Sequence, residues 1–280
     1  MPVSQSLSRV LVASCLALTL SSGAALAQAQ PDKPFEPSVG QAGKDVIWVP
    51  TSQALVDKML DLAKVTANDV VIDLGSGDGR TVITAAKRGS KALGIEYNPQ
   101  MVELSRRNAV QERVGDKANF VKADLFESDL SPATVITMFL LPEINLQLRP
   151  KILDLRPGTR VVSNSFNMGE WTADETIEAR DGCTSYCKAF FWIVPAKVEG
   201  AWRTPDGDLT LEQTFQTVTG TMKSKSGVTK VTKGRLRGDE ITFTAGETQY
   251  TGRVNGDAIE GTSRSRGKQS PWKATAIART

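Results

Sequence analysis

The sequence predicts a doubly wound α/β sheet with a closing antiparallel strand pair, followed by a small antiparallel β-rich domain. Three observations predict it. Between residues 69 and 165, short β-branched runs alternate with segments of helical periodicity, the pattern of a parallel sheet wrapped by helices. The first run ends in a glycine loop, Gly75-Ser76-Gly77-Asp78-Gly79, at the point where such a sheet binds its ligand. Beyond residue 198 helical periodicity stops, and apolar residues alternate with Thr, Gly and charged ones, the texture of paired antiparallel strands.

The elements follow in order. Residues 1–27 read as an export signal: Arg9 near the start, an apolar stretch over residues 10–20, then Ala25-Leu26-Ala27 with small residues where a signal peptidase cuts, predicting cleavage after Ala27. The apolar run is shorter than the ~20 residues a membrane span needs. Val12-Ala13-Ser14-Cys15 also resembles a lipobox, so anchoring at Cys15 is the competing reading, and a periplasmic or secreted destination is expected. Residues 28–46, rich in Pro, Gln and Gly, are expected to be a flexible mature terminus.

The catalytic-domain expectation covers residues 47–196. Thr51 is expected to cap a helix carrying Leu55, Met59 and Leu62 on one face. Strands are expected at residues 69–74, 92–97, 119–124, 134–141 and 160–165, with helices at 81–88, after Asn98-Pro99, and after Pro142, the last kinked by Pro150. Residues 176–180 and 188–194 flank the turn Asp181-Gly182 as the closing pair.

Residues 197–280 form the expected β-rich domain, a meander or a barrel-like arrangement. The echoes Asp206-Gly207-Asp208, Arg237-Gly238-Asp239 and Asn255-Gly256-Asp257 mark hairpin turns, with Trp202, Phe215, Phe243, Tyr250 and Trp272 as its core. This part carries 14 Lys/Arg against 9 Asp/Glu, whereas residues 28–196 carry 19 against 22. The asymmetry fits two domains, the second able to associate weakly with an anionic surface. Aromatic platforms for single-stranded nucleic acid are not interleaved with the basic residues, so no nucleic-acid partner is expected.

The chain has no histidine, which excludes Ser-His-Asp hydrolysis and His-ligated metal chemistry. After cleavage two cysteines remain, Cys183 and Cys187; a disulfide across a hairpin tip and two free thiols both fit, while metal binding does not.

Acidic residues single out the ligand of the glycine loop. Asp73 ends the first strand, where a carboxylate holds an ammonium and repels a pyrophosphate. Glu96 ends the next, 21 residues after Gly75, where a carboxylate accepts from ribose hydroxyls. Asp124 ends the third, placed for an adenine amino group, with Leu125 against the ring. Carboxylates at three successive strand ends describe a site for adenosine joined to an amino acid, which is S-adenosylmethionine (SAM).

At these residues the sequence resembles the class I SAM-dependent methyltransferases. Residues 70–79 match their first motif, and Gly94-Ile95-Glu96-Tyr97-Asn98-Pro99 matches their ribose-binding element. The variant at 73–80, with Val49-Pro50-Thr51 upstream and Leu141-Pro142 after strand four, is most similar to the FAM173-like lysine methyltransferase group. The resemblance implies a Rossmann-like methyltransferase sheet, SAM as methyl donor, and cofactor contacts from Pro50, Thr51, Asp73, Gly75, Ser76, Gly77, Asp78, Glu96, Tyr97, Asp124 and Leu125.

The acceptor is expected over Phe139, Leu140, Leu141 and Pro142, facing Asn164. An amide-methylating enzyme shows Asn/Asp-Pro-Pro-aromatic there, and this chain does not. SAM is already activated, so no catalytic base is assigned. The expected function is methyl transfer, with a protein lysine the favoured acceptor; a small molecule or lipid, or a non-catalytic exported binding protein, are the alternatives.

Overall fold

A computed structural model describes residues 1–2, 35–225 and 227–278. The expected leader, its cleavage point and Cys15 lie outside the described residues. From Ser38 to Trp48 the chain is folded rather than loose, contrary to the expected flexible stretch through residue 46. Gly40 donates to Trp48 O and Trp48 donates back to Gln41 O, both at 2.9 Å, and Ala42 bridges Ile47. The apolar side chains Val46 and Trp48, absent from truly solvated tails, give this segment something to pack.

Helix α1 (Gln53–Leu62) follows. Its cap is Ser52, whose hydroxyl accepts from Leu55 N at 3.3 Å, not Thr51. The sheet then builds in sequence: β1 (Val70–Leu74), α2 (Arg80–Lys87), β2 (Lys91–Glu96), α3 (Pro99–Gln111), β3 (Ala118–Lys122), β4 (Val135–Met138), α4 (Pro142–Leu153), β5 (Arg160–Asn164), β6 (Glu175–Glu178) and β7 (Lys188–Ile193). Strand order is β3-β2-β1-β4-β5-β7-β6. β1 to β5 are parallel, and β7 returns antiparallel between β5 and β6. Two strands are shorter than expected. β3 stops at Lys122, leaving Asp124 in the following loop, and β4 stops at Met138, freeing residues 139–141 for a turn. α4 continues through Pro150 to Leu153.

The sheet buries both faces. On one side α1, α2 and α3 contribute Leu55, Leu60, Val82 and Val102; on the other α4 contributes Ile144, Leu148 and Ile152 beside Trp171 and Trp192. Burying a large apolar side chain contributes about 1.5–3 kcal/mol, so these two layers fix the sheet. The chain winds outward from β1 to β3 and then crosses back to β4. That reversal opens a crevice at the carboxyl ends of β1 and β4.

Residues beyond β7 close into an eight-stranded antiparallel barrel: β8 (Gly200–Thr204), β9 (Gly207–Thr214), β10 (Thr217–Ser224), β11 (Gly227–Arg237), β12 (Glu240–Ala245), β13 (Thr248–Asn255), β14 (Ala258–Ser265) and β15 (Lys268–Ala278). The three glycine-aspartate echoes are hairpin turns of this barrel. Trp202, Phe243, Tyr250 and Trp272 fill its interior. Phe215 does not. It sits on the β9–β10 turn and stacks on Trp171 of the other domain, ring centroids 6.2 Å apart. A turn residue points out of its own barrel, so the period-two pattern misassigns it.

Charge pairs reinforce this contact. Arg235 meets Asp174 at 2.5 Å and Arg237 meets Glu175 at 3.5 Å, at the start of the outer strand β6. Gln216 donates to Thr172 O at 2.7 Å.

Candidate active site

The loop after β1 turns through three left-handed glycines, Gly75, Gly77 and Gly79. Two show why glycine is required. A Cβ on Gly77 would stand 2.7 Å from the Trp48 indole nitrogen, and one on Gly79 would stand 2.8 Å from the Phe120 ring. Gly75 N and Ser76 N both donate to Ile95 O, tying the loop to the end of β2. α3 supports it from below: Ser105 Oγ donates to Gly77 O at 2.8 Å, and Asn108 Nδ2 donates to Asp78 O at 2.9 Å. These bonds satisfy carbonyls that a tight turn would otherwise leave unpaired.

A cavity of about 620 Å³ opens above the loop. Each of Asp73, Glu96 and Asp124 lines it, and so do Pro50, Thr51, Gly75, Ser76, Gly77, Asp78, Tyr97 and Leu125. Side chains from residues 41–48 form its outer wall.

Glu96 is locked in place. Its Oε2 accepts from Gly77 N at 3.0 Å and its Oε1 from Asn98 N at 2.8 Å. Asp73 is 6% exposed. Burial pushes its pKa up to about 7; the Thr137 hydroxyl, donating at 2.6 Å, opposes this, while the charges of Asp78 and Glu96 add to it. A buried carboxylate among like charges is a strong receptor for an ammonium group. Asp124 is held below the usual carboxylate range, first by Lys44 at 2.6 Å and then by Phe126 N. The Lys44 ammonium also lies 4.8 Å from the Tyr97 ring centre. Ser76 Oγ is buried without a hydrogen-bond partner among the described residues. It faces Gly94 of β2, where an added Cβ would stand 2.5 Å from it, so the serine packs the loop onto the neighbouring strand.

Asp78 is engaged by Arg80, whose guanidinium takes both carboxylate oxygens and also donates to Thr51 O at 2.7 Å. Arg80 therefore ties the Pro50-Thr51 segment to the glycine loop.

On the acceptor side, Phe139, Leu140 and Leu141 line the cavity, joined by Ile144, Phe166 and Tyr186. Pro142 and Asn164 do not line it. Pro142 is the first residue of α4. Asn164 is fully buried, its Nδ2 donating to Thr51 Oγ1 at 3.0 Å, so it braces the entrance segment. A polar residue at a strand end is as easily a brace as a wall, and spacing does not separate the two.

Sequence reasoning missed Trp48, Arg80, Thr137, Phe166 and Tyr186. Thr137 stands opposite Asp73 in the β1–β4 register, a pairing invisible until the strand order is known. Cys183 and Cys187 are joined by a disulfide.

SAM fits these residues: an ammonium receptor in Asp73, a ribose receptor in Glu96, and an adenine end bounded by Tyr97, Asp124 and Leu125.

Comparison with known proteins agrees. Residues 73–175 match the ANTKMT methyltransferase domain. A protein-lysine N-methyltransferase from Saccharolobus islandicus is 46% identical over 140 residues, covering 49% of this chain and 87% of that protein. The adenine nucleotide translocase lysine N-methyltransferase of Mus musculus is 34% identical over 128 residues, covering 45% of this chain and 56% of that protein. A solved RNA methyltransferase from Salinibacter ruber, in complex with S-adenosyl-L-homocysteine, is 44% identical with a TM-score of 0.50, covering 54% of this chain and 96% of that one. With its cofactor cavity and these relatives, the chain belongs to the SAM-dependent methyltransferases, in the family of the Saccharolobus protein-lysine N-methyltransferase.

Proposed function

We propose that this enzyme methylates the side-chain amine of a protein lysine. The observation that carries the reading is the acceptor end of the cavity, walled by Phe139, Leu140, Leu141 and Ile144 without the amide-binding Asn-Pro-Pro-aromatic turn. An apolar wall lowers the pKa of an entering amine and favours the neutral nucleophile. The names of the archaeal and mouse relatives point the same way.

SAM, when bound, supplies a methyl group activated by a positive sulfur. Asp73 and Glu96, each fixed by hydrogen bonds of its own, would hold its amino-acid and ribose ends. Trp48 and residues 41–47 line the same cavity from the N-terminal side of the chain. Phe139 and Leu140 line the path by which the amine approaches. The protein contributes orientation more than proton transfer.

Incubation with tritiated SAM and, separately, total protein, RNA and lipid from the source cells tests this. Label recovered as methyl-lysine after hydrolysis is the expected result. Label confined to RNA would favour the activity named for the Salinibacter protein, and label confined to lipid a different acceptor again.

The enzyme acts outside the cytoplasm. The leader-like residues 1–27 and the Cys183–Cys187 disulfide support this, since such bonds persist in oxidising compartments. A mature N-terminus at Gln28 in the exported fraction is expected. An intact Met1 in the cytoplasmic fraction overturns it.

A further inference from the structure

The cavity has an order that follows the sheet. Strand order β3-β2-β1-β4-β5-β7 sets out, along one edge, Asp124, Glu96, Gly75, Phe139, Phe166 and Tyr186, all of which line the cavity. The first three bound the cofactor half. The last three are aromatic and bound the other half.

These three rings form one cluster. Phe139 and Phe166 have centroids 6.1 Å apart, Phe139 and Tyr186 5.2 Å, and Phe166 and Tyr186 6.3 Å. Such spacing puts the three rings in contact with one another, as one continuous aromatic wall. Tyr186 is 47% exposed, so the cluster stands at the mouth of the cavity rather than in the core.

Two of the rings are carried on backbone that is costly to hold. Ser165, just before Phe166, has φ 59°, and Tyr186 itself has φ 55°. A left-handed non-glycine residue costs of order 1–3 kcal/mol and persists only when its surroundings enforce it. For Tyr186 the surroundings are the ring closed by Cys183–Cys187, which has Tyr186 inside it. Ser165 N donates to Lys188 O at 2.8 Å, so the Phe166 turn and the disulfide loop are joined.

We propose that Phe139, Phe166 and Tyr186 form an aromatic collar on which the aliphatic stem of the acceptor lysine packs, and that the disulfide holds Tyr186 in it. The inference rests on the lysine reading above. A flexible four-carbon stem suits such a wall: its methylenes pack on the rings while the amine reaches past them into the cavity. Tyr186 is a binding residue here, and the disulfide is a positioning element.

A ten-residue oligolysine serves as the probe. Its Kd for the complex with S-adenosylhomocysteine is measured by calorimetry, and its KM and kcat by transfer from tritiated SAM. Tyr186→Ala is expected to raise both Kd and KM about tenfold, the loss of one ring's apolar contact, with kcat and SAM affinity within about twofold of wild type. Tyr186→Phe keeps the ring and restores Kd and KM. The double substitution Cys183→Ser with Cys187→Ser, or reduction of the wild type by dithiothreitol, is expected to raise Kd and KM about threefold. Reduction adds nothing in Tyr186→Ala. Unchanged Kd and KM in Tyr186→Ala overturn the collar and leave the lysine reading standing. Wild-type enzyme that binds SAM yet leaves no methyl-lysine in oligolysine or in total protein overturns the lysine reading, and the collar with it.

Discussion

Thr137 donates its hydroxyl hydrogen to Asp73 across the β1–β4 ladder at 2.6 Å, an anchor for a carboxylate that burial otherwise pushes toward neutrality. Burial and the charges of Asp78 and Glu96 raise its pKa to about 7. Two opposite pH dependences result. Between about pH 4 and 7 the folded apo enzyme keeps a proton that the unfolded chain has released. The contribution of Asp73 to apo stability therefore falls as pH rises through that window. SAM binding uses the ionised carboxylate, so affinity should rise over the upper part of the same window. Calorimetry should find Kd about tenfold weaker at pH 6 than at pH 8. Thr137→Val should move this profile to higher pH. Equal affinities at the two pH values would mean Asp73 does not titrate there.

Glu96 spends one lone pair of each oxygen on backbone amides and keeps the others for ribose hydroxyls. Charge-assisted hydrogen bonds contribute about 1.5–3 kcal/mol each. Glu96→Ala should therefore weaken SAM binding at least tenfold, roughly the loss of one such bond. The melting temperature of the apo protein should move little, since Glu96 is partly exposed. A change in melting temperature without a change in affinity would show it to be a loop brace alone.

Lys44 occupies Asp124 and covers Tyr97, the groups that bound the adenine end. Exposed ion pairs are weak, so Lys44 yields readily to a better partner. Lys44→Met should strengthen SAM binding about threefold, on the order of such a pair. Added salt should improve binding in the wild type but not in the variant. Weaker binding in Lys44→Met would instead make Lys44 part of the cofactor wall.

Phe215 joins the two domains through Trp171, with the Arg149 guanidinium 5.3 Å from its ring centre. Removing a stacked, half-buried ring costs about 1–3 kcal/mol. Phe215→Ala should lower the melting temperature by several degrees, as such a loss does in a protein of this size. SAM affinity should stay the same, because no barrel residue lines the cavity among the described residues. A variant with altered affinity would reveal coupling between the domains.

The cofactor half of the site is legible in the sequence because it depends on local signals. Gly75, Gly77, Asp73 and Glu96 each sit at a strand end whose position periodicity discloses. The acceptor half is only partly legible. Phe139 and Phe166 each follow a readable strand, but Tyr186 reaches the cavity only because β7 inserts antiparallel beside β5. That pairing joins residues far apart in the chain. The role of Asn164 escapes the sequence for the same reason: its partner Thr51 lies 113 residues away. Closure of the barrel is likewise hidden. Hairpin turns predict neighbouring strands, and nothing local announces that the last strand will meet the first.

That last meeting sets an order of events. β15 pairs with β8 through Thr275 with Arg203 and Ala276 with Trp202, partners roughly seventy residues apart, and such distant contacts form slowly. β8 also leaves straight from the strand that completes the catalytic sheet. Until the final strand has been made and has docked, both β8 and β14 carry a row of unanswered backbone donors and acceptors. The last stretch of chain is thus the fastener of the whole second domain, and a chain shortened by that one strand would present two raw edges beside an otherwise finished enzyme.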